Sequence, residues 1–366
     1  MVVGMNYDLE LAKKLTILTS IYGRAELTLR HLLYLEAVRC PFKVYLADGS
    51  LDDQNLKIIE ANKHHFSHVA YEYHRFQPGT GLFNFYKKMA DASGRITTPY
   101  VLWYDEDDFF DIEAILRCIA FLEQDAKQEY IGCMGQIIGF MTRHDKPFQP
   151  IVSGCRFAQD PKYELDSIYN RITGRLPDDH CMHSVLRTKC LQEIFQLEVA
   201  LNCNNYLLNN YIEQSYLPAC GKIKRLPQDY FYKQLGSQSW FGGYEFILEV
   251  FLANPAYDAF HRYAQILAKM VCDQMTELEP EAVAKDLIKA YIDFNNPKTL
   301  RAFLKRQFDL GTAYWSNLSK ILHRYHLLAF KQLWRFPRTL RVIHFNPNKT
   351  LSIIKQVLST KAHRKE

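Results

Sequence analysis

The first 140 residues repeat one order, in which a short apolar run is followed by a stretch with helical periodicity. The runs are rich in β-branched and aromatic residues, which indicates buried strands at 15–20, 42–47, 69–73, 100–104 and 131–140. The helical stretches lie between them, at 25–37, 52–65, 82–92 and 112–124. Because strands that alternate with helices are typical of βαβ units, this order predicts an α/β fold. We expect a mostly parallel, Rossmann-like sheet with flanking helices.

Polar residues stand at the carboxyl ends of three of these strands. They are Thr19-Ser20, Asp48-Gly49-Ser50 and the acidic cluster Asp105-Glu106-Asp107-Asp108. In open α/β sheets, ligands bind beyond the carboxyl ends of the strands. We therefore expect the three segments to gather on one edge of the sheet and to form a binding site there.

The pattern is less regular beyond Gly154 and becomes helical from about Tyr244 onward. Between these points the sequence predicts strands at 183–187 and 223–226 and helices at 191–201 and 206–219. The pair Gly242-Gly243 is the best candidate for a domain boundary, since paired glycines interrupt regular structure. The prediction is a first domain of residues 1–242 and a helical C-terminal region of residues 243–366.

Charge is distributed unevenly along the chain, whose formal net charge is +5. Residues 320–366 carry +10 and the rest carries −5, and the tail also contains Trp334 and Phe336. A basic, aromatic segment of this kind predicts a peripheral contact with an anionic membrane surface through residues 320–366. The alternative is a helix that packs on the body with its basic face in water. No nucleic-acid-binding module is recognisable, so we expect no nucleic-acid partner.

The sequence gives no sign of export or of a membrane span. The N-terminal stretch has acids early and no apolar core, and no run is long enough to cross a bilayer. The nine cysteines occur singly, without a CxxC pair, which favours reduced thiols. We therefore expect a cytoplasmic location. The basic tail extends this expectation to peripheral association with the inner face of the membrane.

The acidic cluster at 105–108 has two interpretations. Asp107, Asp108 or Asp111 would cap the helix that begins near Ile112, because acids are favourable at that end of a helix. Capping explains one or two acids but not four in a row, whose mutual repulsion calls for a cation. Hard divalent ions take carboxylate oxygens, so the cluster indicates a site for Mn²⁺ or Mg²⁺ together with a diphosphate.

Three segments together resemble the nucleotide-binding half of a GT-A glycosyltransferase of the broad family-two type, which serves bacterial polysaccharide assembly. They are LTILTSIYGRAE, VYLADGSLDD and YVLWYDEDD, and the resemblance covers about residues 14–235. The family pattern implies that Asp105 and Asp107 hold the metal and the diphosphate, with Glu106 between them in the donor site. It also implies that Asp48 contacts the nucleoside, although an Asp-Gly pair is an ordinary turn signal as well.

The resemblance implies further donor contacts around these motifs. The turn after the first strand contacts the base, which implies roles for Ser20, Tyr22 and Arg24. The helix before the acidic motif offers a basic group to the phosphates. Lys87 is the residue we assign to this role, with Lys88 as the alternative, and either lysine also fits an ordinary solvated surface.

The catalytic base is where the sequence departs from the family pattern. The family places a Glu-Asp pair at the start of a helix, whereas this chain has Asn209 and Asn210 near that place. Glu213 is the nearest carboxylate and becomes the first candidate for the base that deprotonates an acceptor hydroxyl. Asp179, beside Asp178 in a loop, is the competitor. His180 or His183 would complete the metal shell or serve only a structural role.

The expectation that follows from the resemblance is a metal-dependent glycosyltransferase with an inverting mechanism. It would move a sugar from a nucleotide-diphosphate donor to the hydroxyl of a glycan or lipid-linked acceptor. The missing Glu-Asp pair leaves open a binding or scaffold protein that keeps the fold without catalysis. A sugar-phosphate nucleotidyltransferase is the third hypothesis, but such enzymes carry a Gly-rich basic loop after the first strand, and here that turn has only Gly23.

Overall fold

A computed structural model of the chain describes residues 7–142, 148–156, 161–173, 181–203, 205–235, 254–273, 278–295 and 349–359. Its first part contains four parallel strands in the order β3-β2-β1-β4. These strands are β1 (Leu15–Ile21), β2 (Lys43–Asp48), β3 (Tyr71–Arg75) and β4 (Tyr100–Asp105). The helices of this part are α1 (Leu9–Ala12), α2 (Ala25–Ala37), α3 (Gln54–Asn62), α4 (Leu82–Gly94) and α5 (Ile112–Gln124). The strand–helix order predicted from periodicity is confirmed here.

The sheet continues beyond β4 with strands of both directions. The further strands are β5 (Phe109–Phe110), β6 (Tyr130–Thr142), β7 (Ile151–Arg156), β8 (Val185–Arg187) and β9 (Lys222–Gln234). Strand β8 runs antiparallel to both β4 and β6, β9 is parallel to β6, and the short β5 is antiparallel to β9. Strand β7 pairs with β6 alone, also antiparallel. The α/β fold is confirmed, and its parallel character is complete only in the first four strands.

Strand β9 is much longer than the run 223–226 that was predicted. It pairs with β6 across register shifts near Met134 and Gln136, and this irregularity accommodates Pro227, which has no N–H to donate. The backbones approach closely there, because a Cβ at Gly135 would lie 2.5 Å from the carbonyl oxygen of Gln228. Sequence periodicity misses such a strand because pairing with β6, rather than local apolar alternation, maintains it.

Two hydrophobic clusters hold the described residues together. The larger surrounds the sheet and is supplied by the strands and by α2, α4 and α5. The smaller joins α6 (Ile168–Thr173), α7 (Thr188–Leu201) and α8 (Tyr206–Cys220) to α9 (Asn254–Cys272) and α10 (Pro280–Asn295). Helices from both sides of the predicted boundary therefore share one cluster. The boundary near Gly242-Gly243 lies outside the described residues and stays a prediction.

Of the basic tail, the structure describes only α11 (Lys349–Ser359). This helix buries Leu351, Ile354 and Leu358 in the larger cluster, and Thr350 Oγ1 donates a hydrogen bond to Asp111 Oδ2. This packing concerns residues 349–359 alone. The aromatic part of the tail, with Trp334 and Phe336, lies outside the described residues, so the membrane contact and its packed-helix alternative both stay predictions there. Within the ranges given above, no helix is both long enough and apolar enough to cross a membrane.

Candidate functional site

The polar ends of three parallel strands meet at one edge of the sheet, as the sequence predicts. Strand β1 lies between β2 and β4, and the register pairs Ser20 with Asp105 and Ile21 with Asp48. Residues from three distant parts of the chain are thereby brought side by side at the end of β1. This edge is the candidate functional site.

The carboxylate of Asp48 is buried and organises the turn after β2. Its Oδ1 accepts hydrogen bonds from the backbone N of Ser50 at 2.8 Å and from the Ser50 hydroxyl, and its Oδ2 accepts one from Tyr73. The Ser50 hydroxyl in turn accepts from the backbone N of Gly23, at 2.8 Å, which ties this turn to the turn after β1. Asp48 thus has the turn role in this structure, and its contact with a nucleoside stays a prediction.

Of the two lysines on α4, the structure brings Lys88 to the site and leaves Lys87 exposed. The ammonium of Lys88 donates to Ser20 Oγ at 2.8 Å and to the carbonyl oxygen of Ile21 at 3.2 Å. Burial lowers the pKa of Lys88 to about 8, although Glu106, Asp48 and Asp105 favour its charged form. Lys88, on the inner face of α4, is therefore the lysine that lies at the strand edge, and the contact of either lysine with a phosphate stays a prediction.

Gly49 makes room for this lysine. A Cβ at Gly49 would lie 3.0 Å from Cδ of Lys88, closer than side-chain carbons normally approach. The glycine of the Asp48-Gly49-Ser50 turn therefore also serves the neighbouring helix, by letting the Lys88 side chain reach the end of β1.

The acidic cluster is divided into two pairs by its basic neighbours. Arg24 takes the first pair: its Nε donates to Glu106 Oε1 at 2.8 Å and its NH1 donates to Asp107 Oδ2 at 3.1 Å. Buried Arg30 holds the backbone below, donating to the carbonyl oxygen of Asp107 at 2.7 Å. Arg24 therefore contacts carboxylates here, and its predicted contact with a base stays a prediction. The same is true of Tyr22, which lies half-buried in the turn after β1.

The second pair is grouped with a histidine. Ligand atoms of Asp105, Asp108 and His183 all lie within 4.8 Å of one another, the spacing needed to surround one metal ion. Asp108 Oδ1 accepts from the backbone N of Gln234 at 2.8 Å, whereas Oδ2 is buried and receives no hydrogen bond from any described residue. An unsatisfied buried carboxylate oxygen is costly, and a bound cation removes that cost.

This grouping differs from the predicted metal ligands, Asp105 and Asp107. Asp107 instead pairs with Arg24, while Asp108 takes the place beside Asp105. The capping role proposed for Asp108 belongs to Asp111, whose Oδ1 accepts from the backbone N of Ala114 at 2.8 Å. The difference arises because β9 fixes Asp108 through Gln234, a partner far away in sequence.

The electrostatics of the grouping favour a cation. Burial raises the pKa of Asp105 and of Asp108, and repulsion from Asp107 adds to both. Burial lowers the pKa of His183 to about 3, so its imidazole is neutral, the form that binds metals. Its Nδ1 lies 3.1 Å from the carbonyl oxygen of Trp103, a contact that orients a ligating ring. Carboxylates suit Mg²⁺ and Mn²⁺, whereas imidazole suits transition metals, so the mixed set favours Mn²⁺.

Glu213, the first candidate for the base, lies buried on α8 and faces this site. Its Oε1 accepts from the hydroxyl of Tyr86 at 2.9 Å. Burial, with repulsion from Asp105, raises its pKa to about 8. Glu198, on α7, is buried behind it, and neither of its carboxylate oxygens has a hydrogen-bond partner in the described part of the chain. The competing base, Asp179, lies outside the described residues, as do Asp178 and His180.

Three side chains at the candidate site carry too weak a signal in the sequence to be assigned a role from the sequence alone. His183 was considered as a ligand, but a lone histidine before a short strand is usually structural. Lys233, which lies 3.7 Å from Asp108 Oδ2, belongs to no motif. Tyr86 carries no signal beyond an aromatic on a helix. Pairing with distant strands and helices is what brings these residues to the site.

No family model and no curated protein matches the chain. Solved structures do match in architecture. TarS from S. aureus is 14% identical with a TM-score of 0.45, and the match covers 77% of this chain but only 44% of TarS. The first 349 residues of TarS, in complex with UDP-GlcNAc, are 14% identical, with a TM-score of 0.43 and coverages of 77% and 73%.

A third match is the mannosyltransferase PcManGT from Pyrobaculum calidifontis, in complex with GDP-Man and Mn²⁺. It is 12% identical with a TM-score of 0.41, and the match covers 94% of this chain and 84% of PcManGT. Identities and scores this low concern general architecture at most. The function of this chain therefore has to be inferred from its own residues.

Proposed function

We propose that the protein is a metal-dependent glycosyltransferase that uses a nucleotide-diphosphate sugar as donor. The observation that supports this most is the grouping of Asp105, Asp108 and His183, with a buried oxygen on Asp108 to which no described residue donates a hydrogen bond. It lies at the same strand edge as Lys88 and Asp48. A cation beside a buried ammonium is an arrangement suited to a diphosphate, and a diphosphate is the leaving group of this reaction.

In this proposal the first half of the chain binds the donor. Lys88 leaves Ser20 to bind a phosphate oxygen, and Tyr22, Arg24 and Asp48 line the place of the nucleoside. Asp105, Asp108 and His183 would hold Mn²⁺, with Mg²⁺ as the weaker fit, while Glu106 and Asp107 keep Arg24 in place. When bound, the ion neutralises the charge that develops on the departing diphosphate.

Glu213 is the proposed base. It would take the proton of the acceptor hydroxyl while that oxygen attacks the anomeric carbon from the face opposite the diphosphate, which inverts the configuration. A pKa near 8 fits a general base that works close to neutral pH. Asp179 remains the alternative base.

The acceptor and the cellular place are part of the same proposal. A glycan or lipid-linked acceptor, a cytoplasmic location and contact with an anionic membrane through 320–366 follow from the family resemblance and the charge of the tail. A vesicle co-sedimentation assay with anionic and neutral lipids tests the membrane contact. Binding that is equal for both lipid compositions would exclude it.

The test of the proposed function is donor turnover. Purified protein is incubated with a panel of UDP- and GDP-sugars and Mn²⁺, and release of the free nucleotide is measured, with water or added glycans as acceptor. We expect one donor to be consumed, and we expect both a metal chelator and Asp105→Ala to stop its consumption while the protein stays folded. If no donor is consumed, or if Asp105→Ala is fully active, the proposal fails.

A binding protein without catalysis is the second candidate. The observation that favours it is the absence of the Glu-Asp pair, which leaves Glu213 deeply buried as the nearest described carboxylate on that helix. Calorimetry separates the two candidates, since a binding protein takes up the nucleotide without turning over its sugar. The nucleotidyltransferase hypothesis is tested in the same samples, because that reaction releases pyrophosphate from a nucleoside triphosphate.

A further inference from the structure

Lys233 is a basic residue that faces the proposed metal pocket from β9. Its Nζ lies 3.7 Å from Oδ2 of Asp108, the same oxygen that receives no hydrogen bond in the described part of the chain. The side chain of Lys233 is 24% exposed, whereas that of Asp108 is 2% exposed. A partly exposed lysine side chain therefore lies beside a buried carboxylate.

The two basic residues at the cluster hold their acids differently. Arg24 is hydrogen-bonded to Glu106 and Asp107, which fixes it in place. Lys233 is near Asp108 without a hydrogen bond to it, so the attraction is electrostatic and leaves the ammonium able to move. At 3.7 Å the ammonium of Lys233 is close enough to attract the Asp108 carboxylate strongly in this buried setting.

We propose that Lys233 is an internal counter-cation of the pocket, which a divalent ion displaces and which then binds a phosphate oxygen of the donor. An ion held by Asp108 Oδ2 would sit about 2.1 Å from it, beside the ammonium, and the two positive charges would repel each other. The partly exposed side chain of Lys233 would then turn away from the ion, and a phosphate oxygen of the diphosphate would replace Asp108 as the anionic partner of its ammonium.

The consequence is a coupling between the ion and the nucleotide. Mn²⁺ alone has to displace Lys233 and binds weakly, whereas Mn²⁺ with a nucleotide diphosphate gives the ammonium a new partner and binds tightly. By thermodynamic linkage, the nucleotide gains as much affinity from the ion as the ion gains from the nucleotide. The second half of this inference rests on the proposed donor, and the first half concerns the metal pocket alone.

The test is calorimetry of Mn²⁺ binding, first alone and then with UDP or GDP. For Lys233→Met we expect Mn²⁺ alone to bind about 10-fold more tightly than to the wild type, and we expect the gain from added nucleotide to shrink by a similar factor. Lys233→Arg keeps the charge and should stay near the wild type. Lys224→Met is the matched control, since Lys224 is on the same strand and pairs with Glu164 at 2.7 Å.

The outcomes separate this inference from the proposed function. Equal Mn²⁺ affinity in the wild type and in folded Lys233→Met overturns the counter-cation role. The same holds if Lys224→Met gains as much Mn²⁺ affinity as Lys233→Met does. If Lys233→Met unfolds, Lys233→Gln is measured against the same criterion. If Lys233→Met binds Mn²⁺ more tightly but neither the wild type nor any variant binds UDP or GDP, the counter-cation role is supported and the proposed nucleotide donor is rejected.

Discussion

The two halves of the sheet build different parts of the site. The parallel half, residues 7–124, supplies Ser20, Asp48, Lys88 and the acidic cluster, all from strand ends or from the helix beside them. The mixed half, residues 130–235, supplies single residues from three kinds of element. They are His183 before β8, Glu213 on α8 and Lys233 on β9.

The difference teaches that, under the proposed function, the donor contacts and the catalytic base have separate structural origins. Parallel strands end at one edge of a sheet by topology, so the proposed donor contacts of the first half come together without long-range pairing. The second half then adds the proposed metal ligand, base and counter-charge through strand pairing in both directions and through helix packing. Substitution of Lys88 should therefore act on donor affinity and substitution of Glu213 on rate, whereas the proposed ligands of the ion come from both halves and should affect both quantities.

The largest effect is expected inside the acidic cluster, where both halves meet. Asp108→Asn should lower the rate of donor consumption by about 10²–10³-fold, because it removes a ligand of the cation that stabilises the leaving group. Asp107→Asn is the matched control and should cost at most about 10-fold, since it only loosens Arg24. The measurement is the rate of nucleotide release with saturating Mn²⁺. The reverse order of effects would restore Asp107 as the metal ligand.

The next effect concerns Glu213 and the dependence of the rate on pH. Glu213→Gln should lower kcat by about 10²–10⁴-fold while nucleotide affinity stays unchanged. In the wild type kcat should rise with pH, because the raised pKa near 8 leaves most of the Glu213 carboxyl protonated at pH 7 and a base must be ionised. A cation at Asp105 would remove repulsion and move the midpoint below 8.

Kinetics of Glu213→Gln and of the wild type across pH check this prediction. Glu193→Gln is the control, since Glu193 is a carboxylate that lies outside the candidate site, on α7. If kcat is unaffected by Glu213→Gln, or falls as pH rises toward 8, Glu213 is not the base and Asp179 becomes the candidate to test.

A smaller effect is expected for the donor pocket of the first half. Lys88→Met should weaken nucleotide-diphosphate binding by about 10–100-fold, the loss of one charge-assisted hydrogen bond. Lys87→Met should leave it unchanged, because Lys87 is exposed one position away on the same helix. Binding is measured by calorimetry in the presence of Mn²⁺. Equal losses in both variants would mean that net charge, rather than a contact from Lys88, determines the affinity.

The smallest effect is on stability and belongs to the buried Glu198. Its pKa is raised well above the usual value by burial, so the folded state keeps it protonated and loses stability as pH rises above its unfolded pKa. Glu198→Gln should therefore unfold about 1–3 °C above the wild type at pH 8 and at the same temperature near pH 4.5. Thermal unfolding at the two pH values checks this, and a variant that is less stable at pH 8 would mean that Glu198 is ionised and paired.

The sequence predicted the first half of the molecule well. In the second half it predicted β8, α7 and α8, but not the full length of β9 or which elements become neighbours. The alternation of strands and helices, and the meeting of Ser20, Asp48 and Asp105, follow from local patterns and the topology of parallel sheets. The choice between Asp107 and Asp108 does not, because it depends on Arg24 and on the backbone of Gln234. Lys88 could be told from Lys87 only once the inner face of α4 was known.

The role of the second half depends on contacts with no local pattern. Strand β9 keeps its length by pairing with β6 at Gly135, and this pairing is what carries Lys233 to the cluster. His183 is placed by packing on Phe231, with ring centroids 4.7 Å apart. Periodicity describes which face of an element is apolar, but it does not say which elements become neighbours.

The central claim is that Asp105, Asp108 and His183 hold a divalent ion through which a nucleotide diphosphate binds. Calorimetric titration of UDP and GDP, with Mn²⁺ and with a chelator, tests it most directly in the wild type and in His183→Gln. The account predicts tight binding of one nucleotide to the wild type with Mn²⁺, loss of that binding with chelator, and a marked weakening in His183→Gln. Binding that is the same with and without the ion, or the same in both proteins, would contradict it.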